Sequence, residues 1–258
     1  PACYMHRLAE CITRGCADVT NPYSGKMSRV DMRPERVHTL VLWSKDFGPF
    51  LRADRLFRGY RLYFLFTVND MPELEPHIPK LERRLDQARE LACRYGPERI
   101  GWRFDPVVFR SGGPVSSPDS FVRIGEAMSS FGVRRAIFSF LDLYGKVRTR
   151  SERYSLGLVD PPGEVKREYA ACLAGSADRL GMTLESCSEA SLDIEGIRQG
   201  ACIDGDLLSR LAGEPATTVK DKGQRDACRC SMSRDIGSYA DMPCLHGCLY
   251  CYANPVVP

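Results

Sequence analysis

Three cysteines lie close together near the end of the chain, in the stretch Cys244-Leu-His-Gly-Cys248-Leu-Tyr-Cys251. Thiolates bind zinc, copper(I) and the iron of iron–sulfur clusters, because these metals are soft or borderline. Cys228 and Cys230 precede the trio, so five of the twelve cysteines fall in the last 31 residues. Disulfide frameworks belong mostly to small secreted chains, whereas a chain of 258 residues can build its own core. The clustering therefore predicts a metal site in a reducing cytoplasm.

Two kinds of metal site fit these sulfurs. A structural zinc site takes four protein ligands, commonly as two close pairs. Cys228 and Cys230 with two of the terminal three supply such a set, and His246 is a further candidate. The spacing C-x3-C-x2-C is more specific than a generic zinc pair. The residues alone leave zinc and an iron–sulfur cluster as alternatives.

Composition and charge exclude several classes of protein. The 36 basic and 33 acidic residues are scattered and leave a net charge of +3, so bulk nucleic-acid binding is not expected. No run approaches about 18 apolar residues, which excludes a membrane span from the sequence pattern. The first residues, Pro1-Ala-Cys-Tyr-Met, show no signal peptide. They also lack an initiator Met, so we expect further residues upstream. These features predict a cytoplasmic protein.

Apolar runs and helical periods alternate along the chain and must position the sulfurs. Continuous apolar runs predict strands buried on both faces of a parallel sheet. They are Cys16–Thr20, Thr39–Trp43, Leu62–Phe66, Ile100–Phe104, Ala136–Phe140 and Thr183–Cys187, with Ala201–Asp204 as a seventh candidate. Helical periods occupy 78–91, 117–128 and 165–180, and a leading helix near Met5, Leu8 and Ile12 has no strand before it.

This alternation is typical of repeated βαβ units. No Gly-x-Gly-x-x-Gly follows any strand, which argues against a dinucleotide-binding fold. We therefore predict a TIM-type (β/α) barrel over residues 1–213, complete or partial, that lacks its first strand. Residues 214–258 show no apolar periodicity. They are predicted to form a cysteine-rich, cluster-binding tail packed on the barrel.

The terminal motif, with Tyr250 directly before its last cysteine, resembles the cluster motif of the radical S-adenosylmethionine (SAM) enzymes. Most of that superfamily carries the motif near the N-terminus. A bacterial family described only as a domain of unknown function carries it C-terminally, and this chain is similar to that family through nearly its whole length. The similar segments are Asn21–Tyr23, Val41–Lys45, Trp102–Pro106, Phe138–Tyr144, Gly200–Gly205, Lys220–Arg225, Asp235–Gly237 and Cys244–Asn254.

The resemblance implies a function. Cys244, Cys248 and Cys251 would hold three irons of a 4Fe-4S cluster, and the fourth iron would take the amino and carboxylate groups of SAM. Because the family includes a radical enzyme of arsinothricin biosynthesis, the implied reaction is transfer of the 3-amino-3-carboxypropyl group of SAM to trivalent arsenic. The implied partners are a small-molecule substrate such as a trivalent arsenical and an electron donor such as flavodoxin or ferredoxin. A noncatalytic zinc-binding barrel and a metal-independent barrel hydrolase or isomerase are the alternatives.

Active sites of barrels gather at the carboxyl ends of the strands, and polar residues stand at those ends in this sequence. We predict that Arg103 or Lys45 binds the SAM carboxylate, and that Asp105, Asp142 or Glu185 binds its ammonium or ribose hydroxyls. The alternative for each residue is a helix cap or an ion pair with a neighbour. The full set is Thr20, Asn21, Ser44, Lys45, Thr67, Asn69, Arg103, Asp105, Ser139, Asp142, Glu185, Glu189 and Asp204.

The remaining sulfur and ring side chains receive weaker assignments. Cys228 and Cys230 bind a second metal, bind trivalent arsenic, or form a packed or reducible pair, with the last two favoured. Cys187 and Cys202 are candidate substrate thiols, although a buried cysteine behaves mostly as a small hydrophobe. His246 is predicted to be a loop residue and not a ligand. Packing is the expectation for Trp43, Trp102 and the other cysteines (Cys3, Cys11, Cys16, Cys93, Cys172).

Overall fold

The computed structural model describes residues 2–20, 24–189, 192–237, 242–253 and 255–256. Its helices are α1 (Met5–Arg14), α2 (Gly48–Ala53), α3 (Leu81–Tyr95), α4 (Pro118–Ser130), α5 (Gly145–Arg153), α6 (Gly163–Arg179) and α7 (Gly205–Ala212). Its strands are β1 (Cys16–Thr20), β2 (Met27–Asp31), β3 (Leu40–Ser44), β4 (Leu62–Thr67), β5 (Ile100–Val107), β6 (Phe109–Arg110), β7 (Gly113–Pro114), β8 (Arg135–Phe140), β9 (Leu158–Val159), β10 (Thr183–Ser186) and β11 (Ile197–Gln199).

Six parallel strands form the central sheet, in the order β3, β4, β5, β8, β10, β11. Each strand lies beside the next one along the chain, apart from the strands of two small sheets. The five predicted strands from β3 to β10 are confirmed. The described residues show no pairing of β3 with β11. The fold is therefore a mixed α/β fold with an open parallel sheet, and the structure shows no closed barrel.

The middle strands of the central sheet can be predicted from the sequence because they are buried on both faces. All six residues of β4 are buried, because helices cover one face of the sheet and the C-terminal part of the chain covers the other. On the helical face, Phe64, Trp102 and Phe138 pack in one core with Leu91 of α3 and Phe121 of α4. A strand covered on both faces becomes a continuous apolar run. Such runs are what the sequence displays at these strands.

The helix N-terminus predicted at Ser117 and Pro118 is confirmed. The Ser120 N–H donates to Ser117 Oγ at 3.1 Å, and Pro118 opens α4. A Pro at this position loses nothing, since its missing N–H would have had no partner inside the helix. The helices predicted near Met5, at 78–91 and at 165–180 are confirmed as α1, α3 and α6.

Two of the predicted strands do not join the parallel sheet. Cys16–Thr20 does form a strand, but β1 pairs antiparallel with β2 in a separate two-stranded sheet. Its alternation supports such a hairpin, since Ala17 is buried while Asp18 bonds Arg29 across the pair at 2.8 Å. Ala201–Asp204 is not a strand, because Asp204 caps α7 by accepting the Leu207 N–H at 2.9 Å. The sixth parallel strand is β11 instead.

The inner face of the sheet, opposite helices α3, α4 and α6, is covered by α7 and by the segment after it. Tyr63, Leu65 and Ile137 of the sheet pack there against Leu208 of α7. The Ser231 N–H donates to Ile203 O at 2.8 Å, which fastens the later segment beside α7. This face and the carboxyl edge of the sheet therefore lie against the cysteine-rich part of the chain. Within the described residues, none of the helices combines the length and apolarity that a bilayer crossing requires.

Candidate metal centre and cosubstrate site

The terminal cysteine loop, residues 244–253, lies at the carboxyl edge of the sheet. The Leu249 N–H donates to Leu74 O at 2.9 Å, and Leu74 belongs to the connection that follows β4. Arg150 of α5 donates through Nη1 to Leu249 O at 3.2 Å and to Cys251 O at 2.6 Å. Because α5 follows β8, the loop spans the ends of two strands of the sheet. Barrel-type folds place their chemistry at this edge.

A glycine shapes the loop. Gly247 has a φ of 66°, a left-handed conformation that costs glycine little. A Cβ at this position would lie 2.9 Å from His77 Cδ2 and 3.0 Å from Val256 O. The Cys251 N–H closes the turn on Cys248 O at 3.1 Å. The backbone thus turns between Cys244 and Cys248 only because residue 247 carries no side chain.

The three thiols of the loop differ in burial. Cys248 is buried, whereas Cys244 and Cys251 are partly exposed. Burial raises the pKa of Cys248 to about 12, and the nearby Lys45 ammonium opposes that effect. Burial likewise raises the pKa of Cys251, and Lys45 again acts to lower it. Lys45 therefore supplies positive charge where thiolates would form.

A second group of donors lies at the end of this loop. Ligand atoms of Cys3, Cys244 and His246 all lie within 4.8 Å of one another. A hydrogen bond with Cys244 lowers the pKa of Cys3 to about 5. His246 lies beside Cys244, a predicted cluster ligand, in keeping with its prediction as a loop residue near the cluster. Packing was the expectation for Cys3, whereas the structure places it beside Cys244 as well. No sequence spacing could reveal this, because the chain's two ends meet only in the fold.

Lys45 belongs to a buried charged network that sequence reasoning missed. Lys45 Nζ lies 2.8 Å from Glu75 Oε1, which also accepts the hydroxyl of Tyr250. Arg84 Nη1 lies 3.8 Å from Glu75 Oε2. Burial acts to raise the pKa of Glu75, but Lys45, Tyr250 and Arg84 hold it below its usual value. Glu75 lies in a Pro- and Glu-rich connection, whose composition is typical of an exposed loop.

Three predicted cosubstrate residues come together at the ends of β5 and β8. Arg103 and Asp105 form an ion pair through Nη2 and Oδ2, and the Ser139 hydroxyl donates to the other Asp105 oxygen. Asn69 fixes the Asp105 backbone, since its Oδ1 accepts the Asp105 N–H at 3.0 Å and its Nδ2 donates to Asp105 O at 2.9 Å. This cluster is nearly closed to solvent but is not fully paired.

Arg103 retains an unused donor. Its Nε is buried and has no hydrogen-bond partner among the described residues. Its guanidinium lies 5.1 Å from the ring centre of Trp43, which is 36% exposed. Packing was the expectation for both tryptophans. It holds for Trp102, which is fully buried and donates to Val68 O at 3.0 Å, but Trp43 instead forms a partly exposed wall beside Arg103.

Two predicted residues lie apart from this cluster. Glu185 pairs with Arg135 at 2.7 Å, and Arg135 is the first residue of β8. Asp142 forms an exposed ion pair with Arg225. Both residues thus make the neighbour contacts that the sequence analysis gave as the alternative, and Asp204 is a helix cap. Asn21 lies outside the described residues.

A cavity of about 550 Å³ opens beside the edge strand β3. Its walls include Leu8 of α1, Trp43, Leu208 of α7, Cys230 and Met242. The cavity does not border Cys248 or Cys251, so it is not the space directly beside the terminal thiols. Trp43 separates it from Arg103.

The fold and site together define an α/β protein with a three-thiol loop at the carboxyl edge of a parallel sheet, beside a buried cluster of charged side chains. The chain belongs to the family described as a domain of unknown function, DUF1848, whose model matches residues 1–253. A search of curated proteins finds no match. The predicted resemblance to a family of unknown function is confirmed. The membership carries no activity with it, so SAM chemistry stays a prediction.

Proposed function

We propose that this protein is a radical SAM enzyme in which Cys244, Cys248 and Cys251 hold a 4Fe-4S cluster and the parallel sheet forms a partial (β/α) barrel. The observation that carries the proposal is the position of the three-thiol loop. It lies at the carboxyl edge of the sheet, beside buried groups that are suited to the amino acid part of SAM. The sequential strand order supports a partial barrel, because barrel strands also follow one another in chain order.

The donor set fits such a cluster. Three thiols in one short loop can bind three irons and leave the fourth iron without a protein thiolate. Each thiol must lose its proton on ligation, and Lys45 favours that loss at Cys248 and Cys251. Met71, Leu74 and Val108 pack around Cys248 and exclude water from it. When bound and reduced, the cluster supplies the electron that cleaves a carbon–sulfur bond of SAM.

The side chains near the loop would bind and orient SAM. Arg103 Nε is buried and has no hydrogen-bond partner within the described ranges of the chain, so it can donate to the SAM carboxylate. Asp105, held by Ser139 and by Asn69, would accept from the ammonium or the ribose hydroxyls. Lys45 would stay on Glu75 and fix the loop through Tyr250. The sequence prediction gave Arg103 and Lys45 as alternative ligands of the carboxylate, and this division selects Arg103.

The acceptor is proposed from family resemblance. Transfer of the 3-amino-3-carboxypropyl group to trivalent arsenic leaves 5′-methylthioadenosine, whereas the other cleavage leaves 5′-deoxyadenosine. A flavodoxin or ferredoxin would supply the electron. Asp142 and Glu185 remain proposed SAM contacts only if binding breaks their ion pairs with Arg225 and Arg135.

The test is anaerobic reconstitution with iron and sulfide, followed by reduction in the presence of SAM. We expect about four irons per chain, because a cubane cluster holds four, and release of 5′-methylthioadenosine that rises with arsenite. The Cys248→Ser variant should lose iron and turnover, while Cys172→Ser, at an exposed position, should keep both. Iron binding that survives in Cys248→Ser would contradict the proposal.

The Cys3, Cys244 and His246 group favours a second candidate, a noncatalytic zinc protein. Cysteine and histidine are zinc ligands, and three of them already converge. Cys3→Ser separates the two candidates. It removes the zinc held at this group if the group is the metal site, and it leaves iron content and SAM cleavage intact if the terminal trio holds a cluster.

A further inference from the structure

Four buried cysteines lie on the inner face of the sheet, apart from the terminal trio. Cys187 follows β10, Cys202 follows β11, and Cys228 and Cys230 come from the segment after α7. Each is at most 9% exposed, and each is a free thiol. Three separate segments of the chain supply them, so only the fold brings them together.

The four sulfurs form a chain of contacts. Cys202 Sγ lies 3.6 Å from Cys187 Sγ. Cys202 also contacts the Cys230 thiol, which in turn contacts Cys228. Two sulfurs bound to one zinc at about 2.3 Å in a tetrahedron lie about 3.8 Å apart. The separation between Cys187 and Cys202 thus suits two ligands on one ion, and it is too short for ligands on different irons of a cluster.

The surroundings act on the thiols in both directions. The hydrogen bond with Cys202, together with burial, raises the pKa of Cys187, and the pKa of Cys202 is raised to about 11, whereas the hydrogen bond with Cys202 lowers the pKa of Cys230. The Ile203 N–H donates to Cys230 Sγ, and the Cys230 N–H donates to Cys228 Sγ, both at 3.4 Å. Such donors stabilise negative charge on sulfur and fix the orientation of metal ligands. The Arg103 guanidinium lies close enough to interact electrostatically with Cys187 and Cys202. Backbone donors therefore face one pair of sulfurs, Cys228 and Cys230, and the Arg103 guanidinium lies near the other pair, Cys187 and Cys202.

The site is closed and mostly apolar. Tyr63, Leu65 and Ile137 of the sheet pack around the sulfurs, together with Leu208 of α7. A site with four protein ligands and an apolar shell suits a structural ion, whereas a catalytic ion keeps a position open. The segment that carries Cys228 and Cys230 is also fastened here, since the Gly205 N–H donates to Ser231 Oγ at 3.1 Å.

We propose that Cys187, Cys202, Cys228 and Cys230 form a second thiolate site that binds one soft divalent ion of the zinc type and fastens residues 214–232 to the inner face of the sheet. Each thiol releases its proton to solvent on ligation, and the two end thiols, Cys187 and Cys228, turn toward the central pair. No electron is transferred. The site does not use the terminal trio, and its zinc binding does not depend on the proposed SAM chemistry, although the Arg103 guanidinium neighbours both sites.

The test uses the full chain with Cys244, Cys248 and Cys251 all replaced by serine, which removes the terminal trio and the group around Cys3. We expect one zinc per chain to survive dialysis. Adding Cys202→Ser should reduce the zinc content at least tenfold, whereas adding Cys172→Ser, at an exposed and distant thiol, should not change it. X-ray absorption at the zinc edge should show four sulfurs at about 2.3 Å.

Three outcomes would overturn the proposal. They are a folded serine background that holds no zinc, zinc retention after Cys202→Ser, and binding of arsenite but not zinc, which would make this a substrate site. If the serine background does not fold, Cys202→Ser is compared with Cys172→Ser in the intact chain. Loss of zinc with unchanged iron content then supports the proposal, and equal zinc contents contradict it. Failure of the SAM proposal would appear as absent iron and leave the zinc result unaffected.

Discussion

Arg103 and Arg135 lie on adjacent strands of the same sheet and each pairs with a carboxylate, yet their environments differ. Arg135 uses every donor group, bonding Glu185 through Nε and Nη2, Tyr63 OH through Nη1 and Ala201 O through Nη2. Arg103 pairs with Asp105 but keeps a buried Nε without a partner in the part of the chain that the structure describes. A fully satisfied buried arginine is a structural element. A buried arginine with a free donor is prepared for a ligand.

The two arginines lie toward opposite edges of the sheet. Arg135 opens β8 and so lies at the amino edge, whereas Arg103 lies toward the carboxyl edge, near the end of β4 and the terminal cysteine loop. The polar groups of the amino edge satisfy one another. Those of the carboxyl edge do not, which matches the division between stability and activity known for barrel-type folds.

The largest effect should come from Arg135→Met. It leaves Glu185 buried without its cation, and removing one partner of a buried ion pair costs about 3–5 kcal/mol. We expect the free energy of unfolding, measured by urea titration, to fall by that amount. The affinity for SAM should stay within about threefold of the parent, a difference below about 1 kcal/mol. A loss of SAM affinity without loss of stability would reverse the roles assigned to the two arginines.

Arg103→Met should weaken SAM binding in addition to stability, because it also leaves Asp105 without its cation. Losing a charged hydrogen bond to the SAM carboxylate, worth about 1.5–3 kcal/mol, should weaken SAM binding roughly 10- to 100-fold. Isothermal titration under anaerobic conditions measures this affinity. Arg103→Lys is the matched variant, and it should recover only part of the binding because lysine lacks the planar fork. Unchanged affinity in Arg103→Met would contradict the assignment.

Glu75→Gln extends the comparison to the cysteine loop. The amide keeps the shape of the side chain but leaves Lys45 and Arg84 without their shared anion. Loss of these charged hydrogen bonds should lower the free energy of unfolding by about 2 kcal/mol. Iron content after reconstitution should fall as well, because Tyr250 then donates to a neutral amide oxygen, which is a weaker acceptor than the carboxylate that anchors the loop. An iron content equal to that of the parent would mean that Glu75 does not position the loop.

Ser139→Ala should give the smallest change. It removes a single hydroxyl from Asp105, which keeps Arg103 as its partner. We expect a loss of SAM affinity of about 1 kcal/mol, roughly fivefold. Ser130→Ala, at an exposed position on α4, serves as the control and should leave the affinity unchanged. A loss above about 100-fold would show that Ser139 itself contacts the ligand.

The sequence predicts an element of the fold well when all residues of that element lie in the same environment. β4 is buried on both faces, and its letters are apolar or aromatic up to the final Thr67. The Ser117 and Pro118 pair marks a helix start that depends only on local bonds. β1 misled because a half-buried hairpin strand and a parallel strand share the short run Cys16–Thr20. The two kinds of strand differ in the strand with which they pair, and a run of five residues does not determine that partner.

The candidate site likewise contains some residues that the sequence predicts and others that it does not. Cys244, Cys248 and Cys251 are recognisable because their spacing is local. Glu75 and Cys3 were missed because their neighbours, Tyr250 and Cys244, come from the other end of the chain. Arg103 and Glu185 received the same prediction from their places on strands. Only the contacts of the two side chains distinguish Arg103, which is proposed to bind a ligand, from Glu185, which forms a structural ion pair.

The most direct test of the account is the electron paramagnetic resonance spectrum of the reconstituted, reduced protein, recorded before and after SAM is added. We predict a signal of a reduced 4Fe-4S cluster that shifts when SAM is added to the parent protein. In Arg103→Met, more SAM should be needed to produce the same shift. Absence of a cluster signal, or a signal that SAM does not alter, would contradict the claim that the terminal trio leaves one iron open for SAM.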